Sequence, residues 1–206
     1  RVLTGKRRVL VIGVEAITRQ MCWTARDTCV LFGDAAGAFV VGRAEGARGR
    51  GQAELLGVTV GTDGSKTGIL GRLIGGSRVP VTAELAARPG FNQILMEGRE
   101  VFKEAVTRMD QAARQALALA GATLAEVALF VPHQANLRIL QAVGKSLGLA
   151  PEKVYINVQD YGNTGSASVP LALWEAREKG RIQPGDLVLM TAFGAGFHWA
   201  GAVARF

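Results

Sequence analysis

Apolar runs alternate with polar, glycine-containing breaks along this chain, and the period of the apolar positions changes partway through. Arg7 to Val14 (RRVLVIGV) is a continuous apolar run after charges, which predicts a strand buried in a mainly parallel sheet. Thr28 to Val41 (TCVLFGDAAGAFVV) holds two apolar runs split by Gly33-Asp34-Ala35-Ala36-Gly37, predicting strand, tight turn, strand. Glu54 to Gly61 predicts a further strand. From Thr62 to Gly90 the chain is rich in Gly, Ser, Arg and Pro without periodicity, the pattern of a long functional or mobile loop. That loop separates two halves of different character.

Beyond it the period becomes helical. Asn92 to Ala120 places Val101, Phe102, Ala105, Val106, Met109, Ala112, Ala113, Ala116, Leu117 and Ala120 on one face, and Gly121 is a natural stop. Thr123 with Glu126 resembles a capping box. Val127 to Val131 predicts a strand, and Asn136 to Leu147 a helix with Leu137, Leu140, Val143 and Leu147 inward. Lys153 to Val158 predicts a strand. Ser166 or Ser168 then caps a helix running to about Lys179, which Gly180 ends. Leu187 to Ala192 and Phe197 to Phe206 predict two last strands around Phe193-Gly194-Ala195-Gly196. The order α-β-α-β-α-β-β argues for helices layered on a sheet.

Composition narrows the class. The 206 residues are 49% hydrophobic, enough for one large domain or two small ones. No apolar run approaches the length of a membrane span, and no charged-then-apolar leader opens the sequence. Arg1 in place of Met points to a piece of a longer product. Cys22 and Cys29 make no disulfide framework, which favours a reducing cytoplasm. The formal net charge is +7, scattered over Lys6-Arg7-Arg8, Arg48-Gly49-Arg50, Arg138, Lys145 and Arg177 to Arg181. Without a long basic run interleaved with aromatics, this charge fits an acidic protein or a phosphorylated small molecule better than nucleic acid.

Candidate chemistry sits at strand ends, where open α/β sheets bind ligands. His133 lies between a predicted strand and a predicted helix; its ring suits either the satisfaction of loop carbonyls or the polarisation of a substrate carbonyl. Asn163, in Gly162-Asn163-Thr164-Gly165-Ser166, suits either a turn or an uncharged donor to an oxyanion. Gly194-Ala195-Gly196 suits either a hairpin or a backbone N–H presented to a ligand. Gly33 to Gly37 lacks the Lys and Ser/Thr of a phosphate loop and reads as a structural turn. Cys29 opens an apolar strand and Cys22 has no base nearby in sequence, so both read as buried structural cysteines. His198 in the last strand reads as packing or rim. No His/Cys/Asp cluster has metal-ligand spacing.

Five strings, taken in order, resemble the β-ketoacyl-acyl carrier protein synthase III family of thiolase-superfamily condensing enzymes. They are LFGDAAGA (Leu31 to Ala38), MEGREVFK (Met96 to Lys103), VPHQANLRI (Val131 to Ile139), YGNTGSASVPLAL (Tyr161 to Leu173) and AFGAGFHWAGAVARF (Ala192 to Phe206). The resemblance implies a layered α-β-α-β-α thiolase-like fold, with residues 1–90 forming part of a first half and residues 91–206 a second half. It implies a Cys–His–Asn triad of which His133 and Asn163 are the last two members, with the Cys in a segment before Thr4 and Cys22 and Cys29 not aligned with it. The 206-residue chain is therefore expected not to condense substrates alone.

The implied reaction is a decarboxylative Claisen condensation of an acyl-CoA with malonyl-acyl carrier protein, initiating fatty-acid synthesis without a permanently bound cofactor. By the same resemblance, Ala195 supplies a backbone N–H to an oxyanion hole at a position where the family has glycine. Arg19 stacks on the CoA adenine, Gly98 and Asn136 line the pantetheine tunnel, and Phe193 lies near its acyl end. Gln134, Ala135, Asn136, Leu137 and Arg138, with Lys145, contact the acidic carrier protein. A homodimer is implied. Two alternatives stay open: a non-catalytic partner subunit of a condensing enzyme, and an acyltransferase that does not decarboxylate.

Overall fold

A computed structural model of the protein describes residues 8–43, 52–72, 74–91 and 93–206. Lys6, Arg7, Arg48, Gly49, Arg50 and Asn92 lie outside the described residues. The elements in chain order are β1 (Arg8–Glu15), β2 (Ala35–Gly42), β3 (Glu54–Thr62), β4 (Leu70–Gly71), α1 (Ala83–Ala86), β5 (Leu95–Met96), α2 (Gly98–Ala120), β6 (Val127–Pro132), α3 (Leu137–Leu147), α4 (Val158–Tyr161), α5 (Ser168–Glu178), β7 (Leu187–Gly194) and β8 (His198–Arg205). The main sheet has the order β3-β8-β7-β6, with β6 and β7 parallel and the other neighbours antiparallel. β3 precedes the 62–90 loop, yet shares this sheet with strands of the second half.

The amphipathic stripe of α2 is the organising element. Val101, Ala105, Met109, Ala112, Ala113, Ala116 and Leu117 are buried, while Phe102 stays exposed at the edge of the stripe. Small residues let the helix lie very close to the sheet. A Cβ on Gly57 would stand 2.4 Å from the Ala116 carbonyl oxygen, and one on Gly201 2.3 Å from that of Ala112. Gly121 ends the helix in the left-handed region at φ 63°, and Thr123 with Glu126 closes the capping box. One apolar cluster joins α2 and α3 to one face of the sheet. A second joins α5 residues Ala172, Leu173 and Ala176 to Leu129, Val131 and Val188 on the other face. Helices therefore cover both faces of β6 and β7, as their unbroken apolar runs require.

Five local features depart from expectation. β1 does not join a parallel sheet: it pairs antiparallel with β2 from Arg8↔Gly42 to Glu15↔Ala35. Leu10, Ile12 and Val14 along it stay exposed, because no described layer covers them. Thr28 to Phe32 forms turns instead of a strand, with only Phe32 bridging to Asn163. Ala35 to Gly37, expected as turn, belongs to β2, where a Cβ on Gly37 would meet that of Pro170 at 2.6 Å. Lys153 to Val158 is not a strand beyond the Phe130–Val154 bridge, because the Gln134 side chain takes the Asn157 and Val158 N–H groups. Leu137, expected inward, is exposed on the first turn of α3.

Candidate active site

β6 and β7 run parallel, so the residues that follow them share one edge of the sheet. His133 follows β6 directly. Its N–H donates to the Thr191 carbonyl on β7 at 2.7 Å, and its own carbonyl accepts from the Ala135 N–H at 2.8 Å. The imidazole is buried, and its Nδ1 lies 3.0 Å from Ser168 Oγ. Burial, slightly offset by the nearby Glu15 carboxylate, pulls its pKa down to about 4. At neutral pH the ring is therefore uncharged and carries one N–H. Its Nε2 has no partner among the described residues.

Asn163 stands between Gly162 and Gly165, whose φ values of 70° and 52° make the turn possible. Its backbone locks onto the 31–33 segment: the Asn163 N–H donates to the Leu31 carbonyl at 2.7 Å, and the Gly33 N–H donates to the Asn163 carbonyl at 3.0 Å. Gly33 is required by this approach, since a Cβ there would stand 2.0 Å from the Tyr161 carbonyl oxygen. The Asn163 Oδ1 accepts from the Gly165 N–H at 3.0 Å. That contact fixes the amide orientation and leaves Nδ2 without a partner among the described residues. Glu15, at the end of β1, accepts from the N–H of Ser166 at 3.0 Å and from its hydroxyl at 2.8 Å, tying β1 to this turn.

The third expected member, Ala195, lies in the exposed turn between β7 and β8, at the same sheet edge as His133. A network on α2 flanks this turn. Asp63 and Phe197 exchange backbone hydrogen bonds of 2.7 and 2.8 Å. Arg108 reaches Asp63 and Glu104 and stacks on the Trp199 ring at 4.5 Å from its centroid.

The remaining expected residues divide. Arg19 is exposed on a short helical turn, while Arg138 and Lys145 are exposed on α3. Gly98 opens α2 at a shallow cleft lined by Glu97, Gly98, Arg99 and Glu100, and a Cβ there would meet nothing within 4 Å. No packing within the described residues demands glycine at 98. Asn136 caps α3, its Oδ1 accepting from the Ile139 N–H at 3.0 Å. Phe193 is buried against Phe197, ring centroids 4.8 Å apart. Gln134 is corrected: it is not a surface contact. It is 1% exposed, its Nε2 donates to the Pro132 and Tyr155 carbonyls, and its Oε1 accepts from the Asn157 and Val158 N–H groups. It clamps the His133 loop and offers a carrier protein nothing.

Neither Ser166 nor Ser168 caps α5. Ser166 binds Glu15 and Ser168 binds the His133 loop, so both serve the site instead. Glu15 and Ser168 escaped the sequence reading because each acts across more than 30 residues of chain, and neither sits in a pattern that marks such a partner. Cys22 and Cys29 are free thiols. Among the described residues, no cluster of three or more His, Cys, Asp or Glu could hold a metal ion, and no helix is long and apolar enough to cross a membrane.

The arrangement holds an uncharged imidazole on Ser168 and, five residues before that serine, an amide whose Nδ2 has no partner among the described residues; the glycine-rich 194–196 turn lies at the sheet edge that bears His133. Known proteins share both the fold and this order of segments. A family model described as 3-oxoacyl-(acyl-carrier-protein) synthase III matches residues 2–64, and one described as the C terminal of the same synthase matches residues 117–206. A β-ketoacyl-(acyl-carrier-protein) synthase III from Caldanaerobacter subterraneus subsp. tengcongensis is 47% identical over 199 residues, 97% of this chain and 58% of the relative. The crystal structure of the synthase III from Thermus thermophilus matches with TM-score 0.84 and 43% identity, over 98% of this chain and 60% of that one. That from Aquifex aeolicus VF5 matches with TM-score 0.82 and 40% identity, over 97% and 58%. The fold is thus the thiolase-like α/β fold of condensing enzymes. The chain belongs to the β-ketoacyl-acyl carrier protein synthase III family and spans about 58% of the length of the curated relatives it matches.

Proposed function

We propose that the protein carrying this chain condenses an acyl-CoA starter with malonyl-acyl carrier protein to give a 3-oxoacyl-acyl carrier protein, the initiating step of fatty-acid synthesis. The observation that carries this reading is the pair of neutral donors: a buried His133 held uncharged, and an Asn163 amide whose oxygen is already occupied. Two such donors on a thioester carbonyl stabilise the enolate formed when the malonyl C–C bond breaks and CO₂ leaves. The electron pair left behind then attacks the acyl thioester on a cysteine outside this chain, expelling its thiolate. Ala195 N–H supports the oxyanion formed in that attack. Neutrality is useful here, because a cationic imidazolium would donate its proton to the enolate and quench it.

The same reading places the CoA adenine at Arg19 and the pantetheine arm along Gly98, Asn136 and Phe193. The acidic carrier protein lies on Ala135, Leu137, Arg138 and Lys145. It includes a cytoplasmic homodimer, no permanently bound cofactor, and a division into a partial first half (1–90) and a second half (91–206). CO₂ release from malonyl-acyl carrier protein by the full-length protein tests it. His133→Ala and Asn163→Ala should each lower kcat by about 10²–10³. Variants that release CO₂ at the unsubstituted rate would overturn the reading, as would condensation by the 206-residue chain alone.

A further inference from the structure

We propose that Ser168 is the positioning residue that fixes the proton of His133 on Nε2, the ring atom left free to meet a substrate carbonyl. The inference deepens the condensing reading of this site and rests on it for its kinetic consequence.

Ser168 is 1% exposed, so its hydroxyl has no bulk water to turn to. The Gln134 backbone N–H can only donate, and it lies 2.6 Å from Ser168 Oγ, which therefore accepts there. The hydroxyl proton must go elsewhere. Among the described residues its sole acceptor within hydrogen-bond distance is His133 Nδ1, at 3.0 Å. A neutral imidazole carries one proton and one lone pair. With Nδ1 accepting from Ser168, the proton sits on Nε2.

The reverse arrangement, Nδ1–H donating to Ser168 Oγ, strands the hydroxyl proton in a buried site, where an unmade hydrogen bond costs the full desolvation of the group. It also turns the lone pair of Nε2 towards an electron-rich carbonyl, which repels it. Ser168 lies five residues after Asn163, on the first turn of α5. One hydroxyl thus sets the tautomer of the first donor and ties its loop to the segment that bears the second.

The test uses the full-length protein labelled with ¹⁵N at histidine, with the His133 ring resonances assigned by their loss in His133→Gln. Two-bond proton–nitrogen correlations at pH 7 should show Nδ1 unprotonated and Nε2 protonated. Ser168→Ala should give a mixture of both tautomers and lower kcat for CO₂ release about tenfold, with KM for the carrier protein unchanged, the scale on which outer partners of a working imidazole act. Ser168→Thr, which keeps the hydroxyl, should restore both the resonances and the rate.

A proton on Nδ1 in the unsubstituted protein overturns the proposal, and so does an unchanged tautomer in Ser168→Ala. If Ser168→Ala fails to fold, the unsubstituted spectrum decides alone. Failure of the condensing reading is distinguishable: His133→Ala and Asn163→Ala would then leave CO₂ release intact, whatever tautomer the spectrum reports.

Discussion

The two-stranded β1–β2 sheet and the four-stranded β3-β8-β7-β6 sheet are built from equally apolar sequence and end in opposite states. Leu129, Val131, Val188 and Leu189 are fully buried, with helices on both faces of their strands. Ile12 and Val14 on β1, and Val40 on β2, are each more than 60% exposed. α5 covers one side of β2, through Gly37 against Pro170, and nothing described covers the other. An apolar run states that a strand needs covering; it does not say what covers it. The chain spans only about 58% of the length of the relatives it matches.

That contrast can be broken most forcefully in the main sheet. Phe130 is fully buried in β6, and Phe130→Ala should cost about 3–5 kcal/mol, read as a shift in the urea unfolding midpoint. A loss below about 1 kcal/mol would mean that the second region is no better packed than the first.

Acid should act next most strongly, with His133 among the side chains that carry it. His133 titrates near 4 when folded, against an ordinary value of 6.5. The unfolded chain therefore binds that proton first as pH falls. This contribution to stability is complete above about pH 6.5, declines as pH falls from 6.5 to 4, and changes no further once both states are protonated; it amounts to roughly 3 kcal/mol. Unfolding midpoints compared at pH 7 and pH 4.5 should fall less for His133→Gln than for the unsubstituted protein. Equal falls would show that the ring is not held neutral by burial.

The smallest effect sharpens the comparison from the other side. Ile12→Ala in the 206-residue chain should cost less than about 1 kcal/mol, since exposed side chains lose little on truncation. A loss matching that of Phe130 would show that β1 is covered by a second surface in solution.

Much of the site was legible as residues, and less of it as geometry. His133 and Asn163 were marked by their places between a predicted strand and a predicted helix, although the strand before Asn163 did not form; Arg138 and Lys145 stood out by charge on a helix that did. Gln134 was misplaced because sequence adjacency to His133 says nothing about direction. Its side chain points inward to four backbone groups, one of which lies 24 residues away. Ser168 read as a helix cap on local grounds, while its hydroxyl serves His133, 35 residues back. The 28–32 segment has strand composition, but its Thr28, Cys29 and Leu31 N–H groups close local turns onto Ala25 and Thr28, and Asn163 takes the Leu31 carbonyl.

Local chemistry therefore determined what it could reach within a few residues: the period of α2, the stop at Gly121, the capping box at Thr123 and the strands β6, β7 and β8. These depend on neighbours at fixed sequence spacing, which the sequence displays directly. Tertiary structure alone decided the pairing of β1 with β2, the burial of Gln134, the use of Ser168 and Glu15, and the neutrality of His133. Each of those is set by a partner far along the chain, and a hydrogen bond or a desolvated ring is a property of where two segments meet in space.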